Sequence, residues 1–192
     1  MVKIGVLASQ GAFIEHIITL KKLDTEGAEI RLPAELKGID GLIIPGGEST
    51  TISLLMNYYK LMTEIAGLAK EGMPLFGTCA GMIMMAKNIH GNSSRSLELM
   101  DITVKRNAFG RQVDSFEADL SIPVLGKKAF PAVFIRAPLI ESCDKSVEIL
   151  AKLHDGTIVA VKQQKMLATA FHPELTDDLR FHRYFLDIVK GK

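Results

Sequence analysis

Cysteine is scarce in this chain: Cys79 and Cys143 are the only two in 192 residues, with no C-x-x-C pair. That argues against a disulfide framework and for a reducing compartment, here the cytoplasm. Net charge is nearly absent too, at +1. Neither nucleic acid nor an anionic membrane is therefore expected as a partner. No apolar run approaches the ~18 residues a membrane-spanning helix needs. The apolar start, Val2 to Ala8, is too short for a secretory leader and is broken by Gly5, so it reads as a first strand. H-E-x-x-H and clustered Cys/His spacings are missing, as are G-x-x-x-x-G-K-[ST] and G-x-G-x-x-G. No metal is assigned, and a phosphate cradle finds little support.

The chain does have enough apolar residues, 47% against 23% charged, for one globular domain spanning residues 1–192. Val2–Ala8, Glu29–Leu32, Leu42–Pro45 and Met73–Phe76 read as buried strands. Helices are expected over Ala12–Leu23, Ile52–Met62 and Ile65–Lys70, and from the Gly77–Gly81 turn to about Lys87. In the first helix Phe13, Ile14, Ile17, Ile18 and Leu20 form the apolar face, with Glu15, His16, Lys21 and Lys22 opposite. Asn88–Ser96 reads as a loop. Strands dominate from Ile102 to Phe134. Val147–Leu153 and Thr157–Lys162 form a hairpin, Met166–Phe171 is a buried strand, and Asp177–Val189 is a closing helix with Thr176 as N-cap. Alternating β and α in the early half implies an α/β fold, a mostly parallel sheet wrapped by helices.

Three segments carry chemistry. Gly77-Thr78-Cys79-Ala80-Gly81 joins a short strand to a helix. This G-x-C-x-G pattern is the cysteine form of a nucleophile elbow. Its glycines let strand and helix pass closely, and the N–H groups at the helix start favour a thiolate. Phe171-His172-Pro173-Glu174 ends a strand. In extended backbone residues i and i+2 point the same way, so Glu174 can reach and orient the His172 imidazole. Nucleophile, base and orienting acid are thus Cys79, His172 and Glu174. Leu42 to Thr51 runs a buried strand into the turn Gly46-Gly47, with Ser49, Thr50 or Thr51 capping the next helix. An oxyanion on a Cys79 adduct needs two donors, the N–H of Ala80 and one from Gly46 or Gly47. All three segments lie where a strand ends, the usual ligand edge of an open α/β sheet.

Other candidates look structural. His16 and His182 fall on helices among charged residues, and His90 and His154 in loops; all four are expected at the surface or lightly hydrogen-bonded. Cys143 has no flanking glycines. Met82, Met84 and Met85 read as core behind the elbow. Asn92-Ser93-Ser94 matches a glycosylation acceptor, which means nothing in a cytoplasmic chain.

With elbow, Gly-Gly loop and His-Pro-Glu in place, the chain resembles class I (triad) glutamine amidotransferases. It is most similar to the glutaminase subunits of pyridoxal 5′-phosphate synthase, the PdxT family. The resemblance runs nearly end to end. It rests also on Gly5 to Phe13 with Glu15-His16, on Glu48-Ser49-Thr50-Thr51, on Arg106-Asn107-Ala108-Phe109-Gly110-Arg111-Gln112, and on Phe134-Ile135-Arg136-Ala137-Pro138. Ser9 departs from the apolar residue expected there.

The resemblance implies a three-layer, flavodoxin-like sandwich and a glutaminase that needs no cofactor. In that family the Gly47-Glu48-Ser49 stretch, Arg106 and the Ile135-Arg136 stretch contact L-glutamine. The ammonia passes to a (β/α)₈-barrel synthase subunit in a heteromeric complex. Docking of that subunit is expected to reorient the Gly46-Gly47 peptide, with Gln10 near the contact. Three other readings remain open: a glutaminase of another pathway such as imidazole glycerol phosphate synthase, a cysteine hydrolase acting on something other than glutamine, and a binding module without catalysis.

Overall fold

A computed structural model describes residues 2–91, 95–106 and 115–192 of the chain. In order, the elements are β1 (Lys3–Leu7), α1 (Phe13–Lys22), β2 (Glu26–Ile30), β3 (Gly41–Ile44), α2 (Ser49–Tyr58), α3 (Leu61–Lys70), β4 (Leu75–Thr78) and α4 (Ala80–Met85). They continue as β5 (Ala86–His90), β6 (Met100–Lys105), β7 (Ser115–Leu120), β8 (Phe130–Ile135), β9 (Leu139–Cys143), β10 (Glu148–Lys152), β11 (Ile158–Gln163), β12 (Met166–Thr169) and α5 (Arg180–Val189).

The main sheet has the order β2-β1-β3-β4-β12-β11-β9-β6-β5, with β10 beside β11. From β2 to β12 every pairing is parallel; β11, β9 and β10 bring in antiparallel ones. β7 and β8 form a separate antiparallel ribbon. The parallel part has the doubly wound order of flavodoxin-like sheets, in which ligands bind where the strand order reverses. That reversal lies between β1 and β3.

The layers follow from alternation along β4. Phe76 packs its ring against His16 of α1 and Phe181, His182 and Phe185 of α5. The next residue, Gly77, faces the opposite side and touches α4 at Gly81 and Met85. Helices therefore cover both faces. Met82, Met84 and Met85 are buried in the core, as their apolar run implied.

Several boundaries differ from the expected ones. β2 lies earlier than Glu29–Leu32 because it pairs with β1 from Lys3↔Glu26 to Leu7↔Ile30. The Glu35 carboxylate then takes the N–H groups of Arg31 and Leu32 and ends the strand. The helix break falls at Lys60, in left-handed backbone with φ 62°, rather than after Met62. Helix α4 stops at Met85, two residues short of Lys87. The N–H groups of Leu97 and Leu99 take the carbonyls of Met84 and Met85, and the chain leaves as β5, parallel to β6. Part of the expected loop Asn88–Ser96 is thus strand; residues 92–94, with the acceptor pattern, lie outside the described residues. The last helix starts at Arg180, not Asp177. Thr176 Oγ1 accepts the Asp178 N–H, and Asp178 Oδ1 accepts that of Arg180, which holds this stretch as a turn; the N-cap position falls on Leu179, with no side-chain cap, rather than on Thr176.

The apolar face of α1 is also rotated from the expected one. His16, Thr19 and Leu20 are buried, while Ile14 and Ile18 are 54% and 50% exposed. Phe13, Ile17 and Leu20 are spaced i, i+4, i+7 and centre the inward face on His16.

Two glycines test this packing. A Cβ on Gly81 would stand 1.8 Å from the Ile44 carbonyl oxygen, whereas one on Gly67, in the middle of α3, meets nothing within 4 Å. Gly81→Ala should destabilise the fold by about 3 kcal/mol or more. Gly67→Ala should stabilise it by roughly 0.5–1 kcal/mol. Denaturant unfolding of both variants checks the pair.

Candidate active site

Cys79 sits at the tip of the β4–α4 corner with φ 50° and ψ −105°. Its N–H donates to the Thr169 carbonyl at 2.8 Å, which locks the corner to the end of β12. Two residues past β12 comes Phe171, then His172, whose N–H donates to the Val133 carbonyl of β8 at 2.8 Å. Adjacent parallel strands thus deliver sulfur and imidazole to one edge.

His172 Nδ1 lies 2.7 Å from Glu174 Oε1, and both side chains are buried. Pro173 opens a short 3₁₀ turn that folds Glu174 back under the ring. His172 and Cys79 line the same cavity. Burial pulls the His172 pKa down, but the neighbouring Cys79 and Glu174 prevail and raise it from 6.5 to about 10. The Cys79 sulfur lies 3.8 Å from the Ile135 carbonyl.

Cys79 and His172 floor a cavity of 440 Å³ whose wall includes Gly46, Gly47, Glu48, Ser49, Ala80, Arg106, Ile135 and Arg136. Gly11, Ala12, Ile83, Pro138 and Leu175 also line it, none of which the sequence assigned a role in the site. The Gly46-Gly47 loop is pinned from both sides of the sheet reversal. The Gly46 carbonyl accepts the Ala12 N–H at 3.1 Å, and the Glu48 N–H donates to Gln10 Oε1 at 2.8 Å. The Gly46 N–H is spent on Thr78 Oγ1 at 3.1 Å. In this conformation Gly47, not Gly46, is the loop residue with an N–H to offer, beside that of Ala80.

Helix α2 is capped by the Glu48 carboxylate, which accepts from the N–H groups of Thr50 and Thr51, not by Ser49, Thr50 or Thr51. Burial opposes its charge, but those bonds and the two threonine hydroxyls prevail and hold its pKa down at about 2. Arg106 Nη2 pairs with Glu48 at 3.1 Å, and its Nη1 donates to Thr50 Oγ1. Residues 107–112, the rest of the Arg106 string, lie outside the described residues. Arg136 turns the chain from β8 to β9 in left-handed backbone, φ 44°.

A family model described as the SNO glutamine amidotransferase family matches residues 6–190. The chain belongs to the SNO glutamine amidotransferase family. It is 59% identical over 190 residues to a protein of Dehalococcoides mccartyi called pyridoxal 5′-phosphate synthase subunit PdxT, covering 98% of this chain and 97% of that one. The Moorella thermoacetica protein of the same name is 58% identical over 187 residues, with 97% and 99% covered. A solved structure described as a glutamine amidotransferase is 49% identical, with a TM-score of 0.93 over 97% of this chain and 98% of that one.

Two histidines in this SNO-family chain overturn the sequence expectation. His16 and His182 are fully buried, not surface groups. They meet each other and stand behind Glu174. Charged neighbours such as Glu15 and Arg183 hid them. The usable signal was helical spacing: Phe13, Ile17 and Leu20 flank His16, and Phe181, Phe185 and Leu186 flank His182. His90 is exposed and paired with Glu141, and His154 is exposed. Cys143 lies at the end of β9, outside the cavity wall.

The raised His172 pKa has a measurable consequence. NMR titration should leave the ring protonated through neutral pH, with a midpoint near about 10. A folded value above 6.5 means that the interaction stabilises the fold fully below that pH and is lost as pH rises through about 10. The thermal midpoint should therefore fall across this window. Cys79→Ala should lower the titration midpoint and flatten the fall.

Proposed function

We propose that the chain hydrolyses L-glutamine to L-glutamate and ammonia on Cys79 and supplies the ammonia to a synthase subunit that makes pyridoxal 5′-phosphate. The observation that carries this is that Cys79 and His172 line one cavity, with the imidazole bonded from behind to the buried Glu174 carboxylate at 2.7 Å. The names of relatives nearly 60% identical support the pathway.

The chemistry follows from the geometry. The Cys79 sulfur attacks the carboxamide carbon, and the oxyanion is received by the N–H groups of Ala80 and Gly47. Protonated His172 gives its proton to the leaving nitrogen, and ammonia departs. His172 then takes a proton from water, which cleaves the glutamyl thioester and releases glutamate. Glu174 holds the ring and balances its charge in both steps. At the rim, Arg106 offers its guanidinium to the α-carboxylate of glutamine and Glu48 its carboxylate to the α-ammonium. Ser49 and the Ile135-Arg136 stretch complete the wall.

Ammonia must be used before it is protonated, since ammonium has no lone pair with which to attack a carbonyl. A docked partner of (β/α)₈-barrel form answers that need. Its action through Gln10 is consistent with how that side chain and Ala12 hold the Gly46-Gly47 loop. The half-exposed Ile18 on α1 and Leu175 at the cavity rim share one groove of 280 Å³.

Two experiments test the reading. Ammonia release from glutamine should vanish in Cys79→Ala and persist in Cys143→Ala, and a glutamine-mimicking electrophile should label Cys79 where peptide-like ones fail. No release by wild type, with the synthase subunit present, would refute it. Separately, Ile18→Glu should weaken association with the synthase subunit at least tenfold by calorimetry, and glutamine hydrolysis should rise on docking. Equal rates with and without the subunit would refute activation by docking.

A further inference from the structure

Behind the carboxylate of Glu174 lies a buried pair that the proposed reaction does not use. His16 Nδ1 and His182 Nε2 are 2.9 Å apart, and neither ring has any exposure. His16 Nε2 faces two oxygens, Thr78 Oγ1 at 3.2 Å and Glu174 Oε2 at 3.5 Å. Glu174 Oε2 has no hydrogen-bond partner among the described residues, and neither has His182 Nδ1. Both rings are neutral at ordinary pH: burial, then the charges of His182 and His172, holds His16 well below 6.5, and burial holds His182 at about 3.

A neutral ring has one N–H, so the contact between the rings allows two arrangements. In one, His16 donates from Nδ1 to His182. The lone pair on His16 Nε2 then faces the Glu174 carboxylate, and His182 buries an Nδ1–H with no acceptor. In the other, His182 donates from Nε2 to His16 Nδ1. The proton of His16 then sits on Nε2 and points its positive end at Glu174 and Thr78; His182 is left with a bare lone pair on Nδ1. Buried orphan N–H groups are rarer than under-used acceptors. An interaction with a buried charge also outweighs a neutral hydrogen bond to Thr78.

We propose that His16 is a positioning residue for Glu174, with its proton held on Nε2 by His182. Its N–H edge keeps Oε2 against the protein interior and leaves Oε1 aimed at His172. The same edge braces Thr78, whose hydroxyl oxygen accepts the Gly46 N–H. One buried ring thereby supports the orienting acid and the root of the glycine loop together. This rests on reading Glu174 as the carboxylate that orients His172.

The test has two arms. Long-range ¹H–¹⁵N NMR of the histidine rings reads the tautomers without any activity assay. Both His16 and His182 should carry their protons on Nε2; a proton on His16 Nδ1 overturns the inference. The second arm measures glutamine hydrolysis in the complex with the synthase subunit. His16→Leu should lower kcat at least tenfold with KM changed less than twofold. His16→Gln, whose amide nitrogen can replace Nε2, should recover most of kcat; His16→Asn, whose shorter amide replaces Nδ1, should not. In a Glu174→Gln background His16→Leu should cost no further activity, and independent, multiplying losses would overturn the role. If Glu174→Gln keeps full activity, the reading of Glu174 fails and this role fails with it. If Glu174→Gln is inactive while the His16 proton is on Nδ1, that reading stands and only this inference fails.

Discussion

The backbone of Cys79 is the constraint on which the rest of the molecule depends. A non-glycine residue at φ 50°, ψ −105° is in a sparsely populated region that costs of order 1–3 kcal/mol. It persists only where surrounding structure holds it. Here Gly81 lets α4 press against the end of β3, Gly77 lets it press against β4, and Thr169 fixes the Cys79 N–H. The strained corner turns the sulfur out of the sheet and into the cavity. It also sets the first N–H groups of α4 beside that sulfur, where no helix carbonyl can claim them.

A second arrangement follows from strand order. The loops after β1 and β3 leave the sheet where its winding reverses, so they must cross the same opening. Ala12 meets Gly46 there, and Gln10 meets Glu48. A Cβ on Gly11 would stand 1.8 Å from the Gly46 carbonyl oxygen, so the two loops touch backbone to backbone. Any shift of one loop must move the other. A surface contact near Gln10 therefore has a short mechanical route to the N–H of Gly47.

The candidate site residues were legible in sequence because each belongs to a local pattern. Glycines at fixed offsets mark the Cys79 corner, and His172 and Glu174 are two residues apart in a stretch that Pro173 keeps from becoming helix. The sheet of parallel strands was legible from alternation of apolar runs and helices. What was not legible depends on distant partners. β5 exists because β6 pairs with it, and α4 ends where Leu97 and Leu99 cap it. His16 looks like a surface residue beside Glu15, and only α5, some 160 residues later, shows what covers it. Gly46 and Gly47 are equal as donors in sequence; Thr78, on another strand, separates them by taking the N–H of Gly46.

The buried polar cluster obeys one electrostatic rule. An ionised carboxylate with no exposure is tolerated only when paired and hydrogen-bonded. Glu174 has a cation on one side, His172 at 2.7 Å from Oε1. Were His16 a second cation, the two would compete for the same carboxylate, and the imidazolium of His172 would lose its advantage. Deep burial prevents that by keeping His16 and His182 neutral. Neutral rings still carry dipoles, and a dipole can stabilise a carboxylate without adding charge. So the interior behind Glu174 can be polar without setting a second cation beside His172. An apolar interior would leave Oε2 with nothing to face, and a charged one would pull the proton balance away from the sulfur.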